Sequence, residues 1–511
     1  MMELNEQFNR AMAAMNEGSQ NVFITGKAGT GKTTLLSYFI EHTEKEIAVL
    51  APTGVAALNV NGETIHSFFK FKPNITIEEA KKKAKTQGKS EMYTKLKTIV
   101  IDEISMVRAD LLDCVDTFLR VARKNERAFG GVQMIFIGDL YQLPPVVSTH
   151  EREHFAQLYK SPWFFDAHVF ADKHCPLVFI ELEKIYRQKD PNFINLLNAI
   201  RTNTVEDTHI KEINERFTRT ENRDAICLTS TNARALEINM QRLSEITSPL
   251  HTYTGSVDGG FDTKQLPTEM ALELKKGAQV MFVNNDTAGR WVNGTLGTVV
   301  DIDTDILLVR THDGQVVEVE EHTWDLYRYF YDKKKLSLGQ EEIGSFSQVP
   351  LRLAWAITIH KSQGKTFDRV VIDLDRGSFA SGQTYVALSR CRTFEGITLH
   401  KPIKASDIRL DWRVQRFLTD YQYALSEEAM PLEKKIKLIQ HAIDMENEIE
   451  ILYLKAKDVK SRRRIKPQAV GQMDYNGKEF LGLEAWCCLR EEIRAFRVDR
   501  ILEIRTDLAV S

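Results

Sequence analysis

Over its first 180 residues the chain repeats one pattern: a short β-branched apolar run, a turn or polar motif, then a stretch with helical spacing of apolar positions. The runs predict strands at Asn21–Thr25, Ile47–Ala51, Thr98–Ile101, Gln133–Ile137 and Leu177–Glu181. Runs that are apolar throughout and separated by helices specify a parallel sheet covered on both faces. Between Phe69 and Leu96 the pattern turns polar and lysine-rich. That stretch reads either as an ordinary solvated helix or as an element facing a nucleic acid. From Arg187 to about Tyr253 the α/β pattern resumes, with a strand at Ala225–Thr229. Alternating strands follow from about Gly277 to Val349, with Asp313-Gly314 as a hairpin turn. They read as a small β-barrel inserted into a second α/β domain, which returns at Leu353–Ile359, Val370–Leu374 and Ile397–His400.

Composition sets the class. A chain of 511 residues needs several domains, and 43% hydrophobic with 27% charged residues is globular usage. No run approaches the ~18 apolar residues of a membrane span, so no membrane association is expected. The first residues lack the basic stretch and apolar run of a secretory signal, and a cytoplasmic location is expected. Six cysteines without a C-x-x-C pair read as thiols in a reducing compartment. The net charge of −3 argues weakly against general polyanion binding and does not exclude a local basic channel.

The chemistry begins at Gly26-Lys27-Ala28-Gly29-Thr30-Gly31-Lys32-Thr33, a full P-loop between a strand and an apolar helix. Its glycines let backbone N–H groups wrap phosphates at a helix N-terminus, Lys32 reaches the β/γ oxygens, and Thr33 ligates Mg²⁺. Roughly seventy residues on, the run Thr98–Ile101 ends in Asp102-Glu103. After a P-loop this pair supplies a magnesium carboxylate, Asp102, and a base that polarises the attacking water, Glu103. Charge developing on the γ-phosphate needs cations from outside the P-loop domain. Arg187, in Ile185-Tyr186-Arg187-Gln188, and Arg390, in Tyr385-Val386-Ala387-Leu388-Ser389-Arg390, are placed for that work. Taken singly, each reads more readily as a surface ion-pair arginine.

These motifs, in order and spacing over about residues 1–415, resemble those of superfamily 1 helicases, and most of all the Pif branch of the Pif/RecD-like group. Ala51-Pro52-Thr53-Gly54, Gly62-Glu63-Thr64-Ile65-His66-Ser67-Phe68-Phe69, Gly138-Asp139-Leu140-Tyr141-Gln142-Leu143-Pro144-Pro145-Val146 and Thr358-Ile359-His360-Lys361-Ser362-Gln363-Gly364 carry the likeness. The stretch from Asp110 to Gln133, with Asp110-Leu111-Leu112-Asp113, Ala122-Arg123-Lys124-Asn125 and Phe129-Gly130-Gly131-Val132-Gln133, resembles the Pif signature and favours that branch over RecD.

The resemblance implies two RecA-like P-loop domains with an inserted small β-barrel. The expected boundaries are 1–185 with an inserted wedge element at about 63–96, 186–255 with 345–415, and 256–344 for the barrel. It implies Gln7 as an adenine contact, Gln142 as a γ-phosphate sensor, and Thr34 and Gly364 in the ATP site. For DNA it implies phosphate contacts from Thr53, His66, Ser67, Asn232, His360 and Lys361, and packing on bases or sugars by Phe68, Pro144 and Pro145. Core packing is an equal reading of Phe68, and structural roles are the ordinary reading of isolated histidines. ATP with Mg²⁺ would drive 5′ to 3′ movement on single-stranded DNA and unwinding at duplex junctions, in replication, recombination or repair. A monomer is expected. The other readings are a DNA-stimulated translocase that does not unwind and a nucleic-acid-binding switch set by the last module.

That module, 431–511 after a linker helix at 416–430, resembles a WYL domain, a small β-barrel found mostly in bacterial proteins. Glu479-Phe480-Leu481 stands at the naming tripeptide, and the arginine-rich end from Arg490 to Arg500 matches better. The resemblance implies a bacterial or phage origin and a nucleic-acid or nucleotide-like ligand. With 16 Lys+Arg against 14 Asp+Glu, an ion-paired strand surface is an equal reading.

Overall fold

In a computed structural model of the chain, the described residues are 5–18, 20–72, 74–148, 151–171, 175–218, 225–260, 266–303, 306–332, 337–375, 377–455, 459–475 and 477–506. They form two compact units, Met1–Arg201 with Val205–Arg409, and Thr202–Thr204 with Leu410–Ser511.

The first unit opens with α1 (Glu6–Glu17), capped by the Asn5 side chain and ended by Gly18 in the left-handed region. A six-stranded parallel sheet follows, from β1 (Asn21–Gly26), β2 (Ile47–Ala51), β3 (Glu63–Thr64), β4 (Thr98–Ile101), β5 (Gln133–Ile137) and β6 (Leu177–Leu182), in the order β3-β2-β4-β5-β1-β6. The five predicted runs are β1, β2, β4, β5 and β6 to within a residue at either end, and the two-residue β3 is an addition. Alternation along β1 sends Val22 and Ile24 into a core with Phe8, Leu35, Leu36 and Phe39, while Phe23 meets the rings of Phe164 and Phe179 on the opposite face. The adjacency of β4, β5 and β1 positions the site: the P-loop, Asp102-Glu103 and the Gly138–Val146 motif leave neighbouring carboxyl ends.

Helices α2 (Lys32–His42), α3 (Gly54–Asn59), α4 (Ile65–Phe68), α5 (Ile77–Gln87), α6 (Glu91–Lys95), α7 (Ala109–Arg123) and α8 (Arg152–Leu158) complete this domain. The lysine-rich stretch is therefore helical, with Ala80 and Ala84 of α5 buried and packed against α7.

Past α9 (Pro191–Arg201) and α10 (Asp207–Asn214), the second α/β domain starts with β7 (Ile226–Thr229) and α11 (Asn232–Glu245). The insertion comprises β8 (Leu250–Thr254), β9 (Ser256–Gly259), β10 (Ala271–Lys275), β11 (Gln279–Phe282), β12 (Leu296–Ile302), β13 (Leu307–Thr311), β14 (Val316–Glu318), β15 (His322–Asp332), β16 (Ser337–Gln348) and β17 (Leu351–Leu353). They pair as three antiparallel sheets, β14-β13-β12-β11-β17, β10-β8 and β15-β16-β9. Leu272, Leu274, Val280, Phe282, Trp291, Val309 and Leu351 share one core.

Strand pairing carries the insertion beyond the expected 256–344. β8 pairs with β10 and β17 with β11. The single strand expected at Leu353–Ile359 is two, because Ala354 bonds back to Gln279 before the chain re-enters the parallel sheet. That sheet is β18 (Ala356–Thr358), β19 (Val370–Asp373) and β20 (Ile397–Leu399) around β7, in the order β18-β7-β19-β20. α12 (Gln383–Leu388) lies between the last two strands in sequence. The β15–β16 arm reaches the first domain: the Tyr329 hydroxyl accepts from the Val49 amide at 3.1 Å, and its own amide donates to Glu63 at 3.3 Å.

The second unit holds α13 (Trp412–Ala429), α14 (Leu432–Asp444) and an antiparallel sheet of β21 (Ile449–Lys455), β22 (Val459–Tyr475), β23 (Lys478–Cys487), β24 (Glu492–Arg497) and β25 (Ile501–Arg505), in the order β24-β23-β22-β21-β25. The helix expected as a linker, α13, packs into this unit: Ser426 donates to the Leu502 carbonyl at 2.9 Å and accepts from the buried Lys435 at 2.8 Å. Ile439 and Ala442 of α14 pack on Ile449, Ile465 and Leu483. The basic run lies on β22, where Arg462 pairs with Glu450, Arg464 with Glu448 and Lys466 with Glu446. Glu479-Phe480-Leu481 faces Asp474-Met473-Gln472 across the β22–β23 hairpin. No described helix is long and apolar enough to cross a membrane.

Candidate nucleotide site and nucleic-acid interface

The P-loop turns at Gly29 (φ 81°) and Gly31 (φ 86°), conformations that favour glycine. Gly29 is also needed for space, since a Cβ there would sit 2.4 Å from Cβ of Arg187. Gly31 caps α2 without a side-chain bond, so the first amides of an eleven-residue helix point outward, ready for an anion. Lys32 folds over the loop, its Nζ donating to the carbonyls of Gly26 at 2.7 Å and Lys27 at 3.1 Å.

A cleft of about 1100 Å³ opens here. Ala28, Gly29, Thr30, Gly31, Lys32, Thr33, Thr34, Glu103 and Gln142 line it from the first domain, Gly364, Thr366, Arg390 and Arg392 from the second, and Arg187 from the junction. Three members of the expected set are not on its walls: Gly26, which starts the loop, Asp102, and Gln7, whose Oε1 accepts from the Glu183 amide at 2.9 Å. Asn5, Phe8 and Tyr186 line the cleft instead.

Electrostatics divide the walls. Burial and then the Asp102 charge push Glu103 up to about 7, against Lys32 and Arg390. Burial also raises Asp102 and lowers Lys32. Opposite, burial and then Arg187 bring Arg390 down to about 9. Two crowded carboxylates facing two crowded arginines form a site short of a cation on one side and of an anion on the other. The Thr33 hydroxyl and Asp102 carboxylate are hard oxygen donors, and with the raised pair at Asp102-Glu103 they fit a Mg²⁺ ion. Glu103 adopts φ 51°, and a left-handed non-glycine residue is the kind of strain found at functional sites.

A buried chain of polar contacts crosses between the two α/β domains, and sequence reasoning missed it. The Ala28 amide donates to the Tyr385 hydroxyl at 3.0 Å, which reaches Asp139 at 3.5 Å. Arg201, stacked 4.0 Å over the Tyr141 ring, pairs with the other Asp139 oxygen at 3.5 Å. Gln142 donates to Asp139 at 3.4 Å and accepts from Gln363 at 3.3 Å. Gln188 donates to the carbonyls of Ser389 and Cys391 at 3.2 and 3.1 Å, holding the strand of chain that bears Arg390. Asp139, Tyr385 and Gln188 each stand inside a motif already singled out. Arg201 gave no signal, because an arginine in a last helical turn reads as a charge on the helix dipole.

The residues expected to touch DNA divide. Thr53, Asn232 and His360 each follow the carboxyl end of a parallel strand. Asn232 and Lys361 are exposed, and Thr53, His66, Ser67, His360 and Pro144 are half-buried. Burial lowers His66 and His360, so both are neutral hydrogen-bonding groups near pH 7 rather than cations. Ser67 donates to Glu63 at 2.6 Å. Phe68 is a correction: it is 1% exposed, wedged edge-on among Phe69, Tyr93 and Tyr329, and the core reading holds. Pro145 is buried as well; the apolar side chain that this loop presents to solvent is Val146, 72% exposed.

Comparison with known proteins shows which family and folds the chain is similar to. The family model described as PIF1-like helicase matches residues 3–211, and that of the WYL domain matches residues 434–506. The ATP-dependent DNA helicase PIF1 of Homo sapiens is 34% identical over 81% of this chain and 63% of its own length. The Pif1 helicase of Bdellovibrio bacteriovorus is 34% identical over 78% of this chain and 88% of its own length. Bacteroides Pif1 in complex with ADP-AlF4 superposes with a TM-score of 0.75 at 38% identity, covering 83% of this chain and 98% of the other. Bacteroides Pif1 bound to ssDNA gives 0.59 at 37%, covering 84% and 98%. The chain spans about six tenths of the length of the vertebrate relatives it matches, 63% of the human protein and 58% of that of Xenopus laevis.

Proposed function

The chain belongs to the PIF1-like helicase family, and on that premise we propose that it is an ATP-dependent DNA helicase that moves 5′ to 3′ along single-stranded DNA and unwinds duplex or structured DNA. The observation that carries the reading is the shared cleft, in which the P-loop and Glu103 of one RecA-like domain face Arg390 of the other and Arg187 at their junction. A nucleotide there makes contacts that exist only when the two domains are close. Binding then favours the closed state and hydrolysis releases it.

In this mechanism Lys32 and the α2 amides hold the phosphates, and Glu103, deprotonated above about pH 7, orients and polarises the attacking water. Arg187 and Arg390 take up the charge that grows on the γ-phosphate. Gln142 lines the cleft and accepts from Gln363, beside the loop that bears His360 and Lys361, which suits a sensor of the γ-phosphate. Thr33 and Asp102 would hold Mg²⁺, which neutralises phosphate charge when bound. Alternating grip by Thr53, His66 and Ser67 on one domain and Asn232, His360 and Lys361 on the other moves the strand. The C-terminal WYL domain is proposed to bind a nucleic acid or a nucleotide-like ligand.

Strand displacement with ATP on duplexes carrying a single-stranded tail at either the 5′ or the 3′ end tests the reading. Displacement of the 5′-tailed substrate alone is expected. Displacement of neither, with DNA-stimulated hydrolysis intact, would leave a translocase that does not unwind.

A further inference from the structure

The stretch from Lys70 to Lys97 carries nine lysines against three glutamates, a local charge of +6 in a chain whose total is −3. Four of these lysines and two of the glutamates belong to α5, and the helix does not need that charge to stand. A capping box between Thr76 and Glu79 closes its N-terminus. Its apolar side packs on α7 so closely that a Cβ at Gly88 would lie 2.6 Å from Cβ of Ala122. At ~100° per residue, Lys81, Lys85 and Lys82 fall in that order within one arc that runs from the flank of the buried Ala80 and Ala84 to the far side of the helix, and Lys89 follows just past the helix end. All four are exposed.

Among the described residues none of these four lysines forms an ion pair within 4 Å. Glu78 and Glu79 are each about one helical turn from Lys82, the spacing at which a pair would form; neither closes to an ion pair, although Glu79 feels the Lys82 charge. The C-terminal unit shows the contrast, since Arg462, Arg464, Lys466, Arg494 and Arg497 are each matched to a carboxylate. The helix dipole explains Lys85 in the last turn but not Lys81 and Lys82 in the middle.

A cationic face without close ion pairs fits a polyanion. α5 offers no aromatic ring on which unpaired bases would stack, and single-strand platforms depend on such rings. A stiff row of cations without rings suits the regular phosphates of a double helix. Resting on the helicase reading above, we propose that the Lys81, Lys82, Lys85 and Lys89 face of α5 is a sequence-independent docking surface for the phosphate backbone of duplex DNA.

The test compares the intact chain with the K81A/K82A/K85A variant, whose alanines keep helix propensity. Affinity for a forked duplex, and for a single strand equal to its tail, is measured by fluorescence anisotropy across a potassium chloride series. If each lysine neutralises one phosphate, the variant's log–log salt slope on the fork is shallower by about 2.7, at ~0.9 per phosphate. Between about 50 and 200 mM salt the intact chain then loses roughly 40-fold more affinity for the fork than the variant does. Single-strand affinity and single-strand-stimulated ATP turnover stay unchanged. Equal slopes on the fork, or equal losses on fork and single strand, would overturn the proposal. ATP turnover that ignores single strands would instead overturn the helicase reading, while the fork salt slopes still judge this surface.

Discussion

Arg390→Ala isolates the contribution of the second domain to hydrolysis. The side chain is 1% exposed, and its guanidinium donates to the Val386 carbonyl at 3.0 Å and the Ser389 hydroxyl at 3.0 Å. Burial, then the neighbouring Arg187, brings it from an ordinary 12.5 to about 9. At ~1.4 kcal/mol per pH unit, that is roughly 5 kcal/mol held against the cation in the nucleotide-free cleft. An anion arriving between the domains relieves that cost, most of all when charge builds on the γ-phosphate. Arginines acting across a domain boundary supply ~10³ to 10⁵ in kcat, about 4 to 7 kcal/mol. Steady-state ATP turnover with saturating oligonucleotide should therefore fall by about three decades or more, while nucleotide-free DNA binding holds. Arg390→Lys should lose most of the rate as well, since an ammonium keeps the charge but not the fork. A kcat within about tenfold of the parent, in a variant with an unchanged melting temperature, would refute the assignment.

Three further outcomes are expected. Lys32→Ala and Glu103→Gln should each abolish turnover and leave single-strand affinity largely intact by anisotropy; loss of strand binding in both would remove them from the nucleotide site. Phe68→Ala should lower unfolding stability by ~3–5 kcal/mol, as for a buried aromatic, with the loss visible in chemical denaturation and not first in DNA affinity. Truncation before Leu410 should preserve DNA-stimulated ATP hydrolysis; its loss in a folded truncated chain would make the second unit part of the motor.

Much of the first domain was legible because a fully buried parallel strand is an unbroken apolar run, and each of its carboxyl ends carries a motif that chemistry explains. The insertion's edges were harder. Leu250–Thr254 alternates like a strand but stands next to a helix of the second domain, and nothing local says that it pairs with β10. The break at Ala354-Trp355 depends on a bond to Gln279, 75 residues away, which periodicity cannot register. Phe68 was misplaced for a related reason. A motif position suggests a role, but its exposure was decided by Tyr93 and by Tyr329 on the distant β15–β16 arm. Arg201 escaped because its partners, Asp139 and Tyr141, meet it only in the folded chain.

Whether closure of the cleft is linked to a DNA strand is the question on which the account rests. Steady-state ATP hydrolysis by the intact chain, measured with and without a single-stranded oligonucleotide, answers it. A large rise in kcat is expected when the oligonucleotide is added; an identical rate in its absence would contradict a cleft whose closure is linked to a DNA strand.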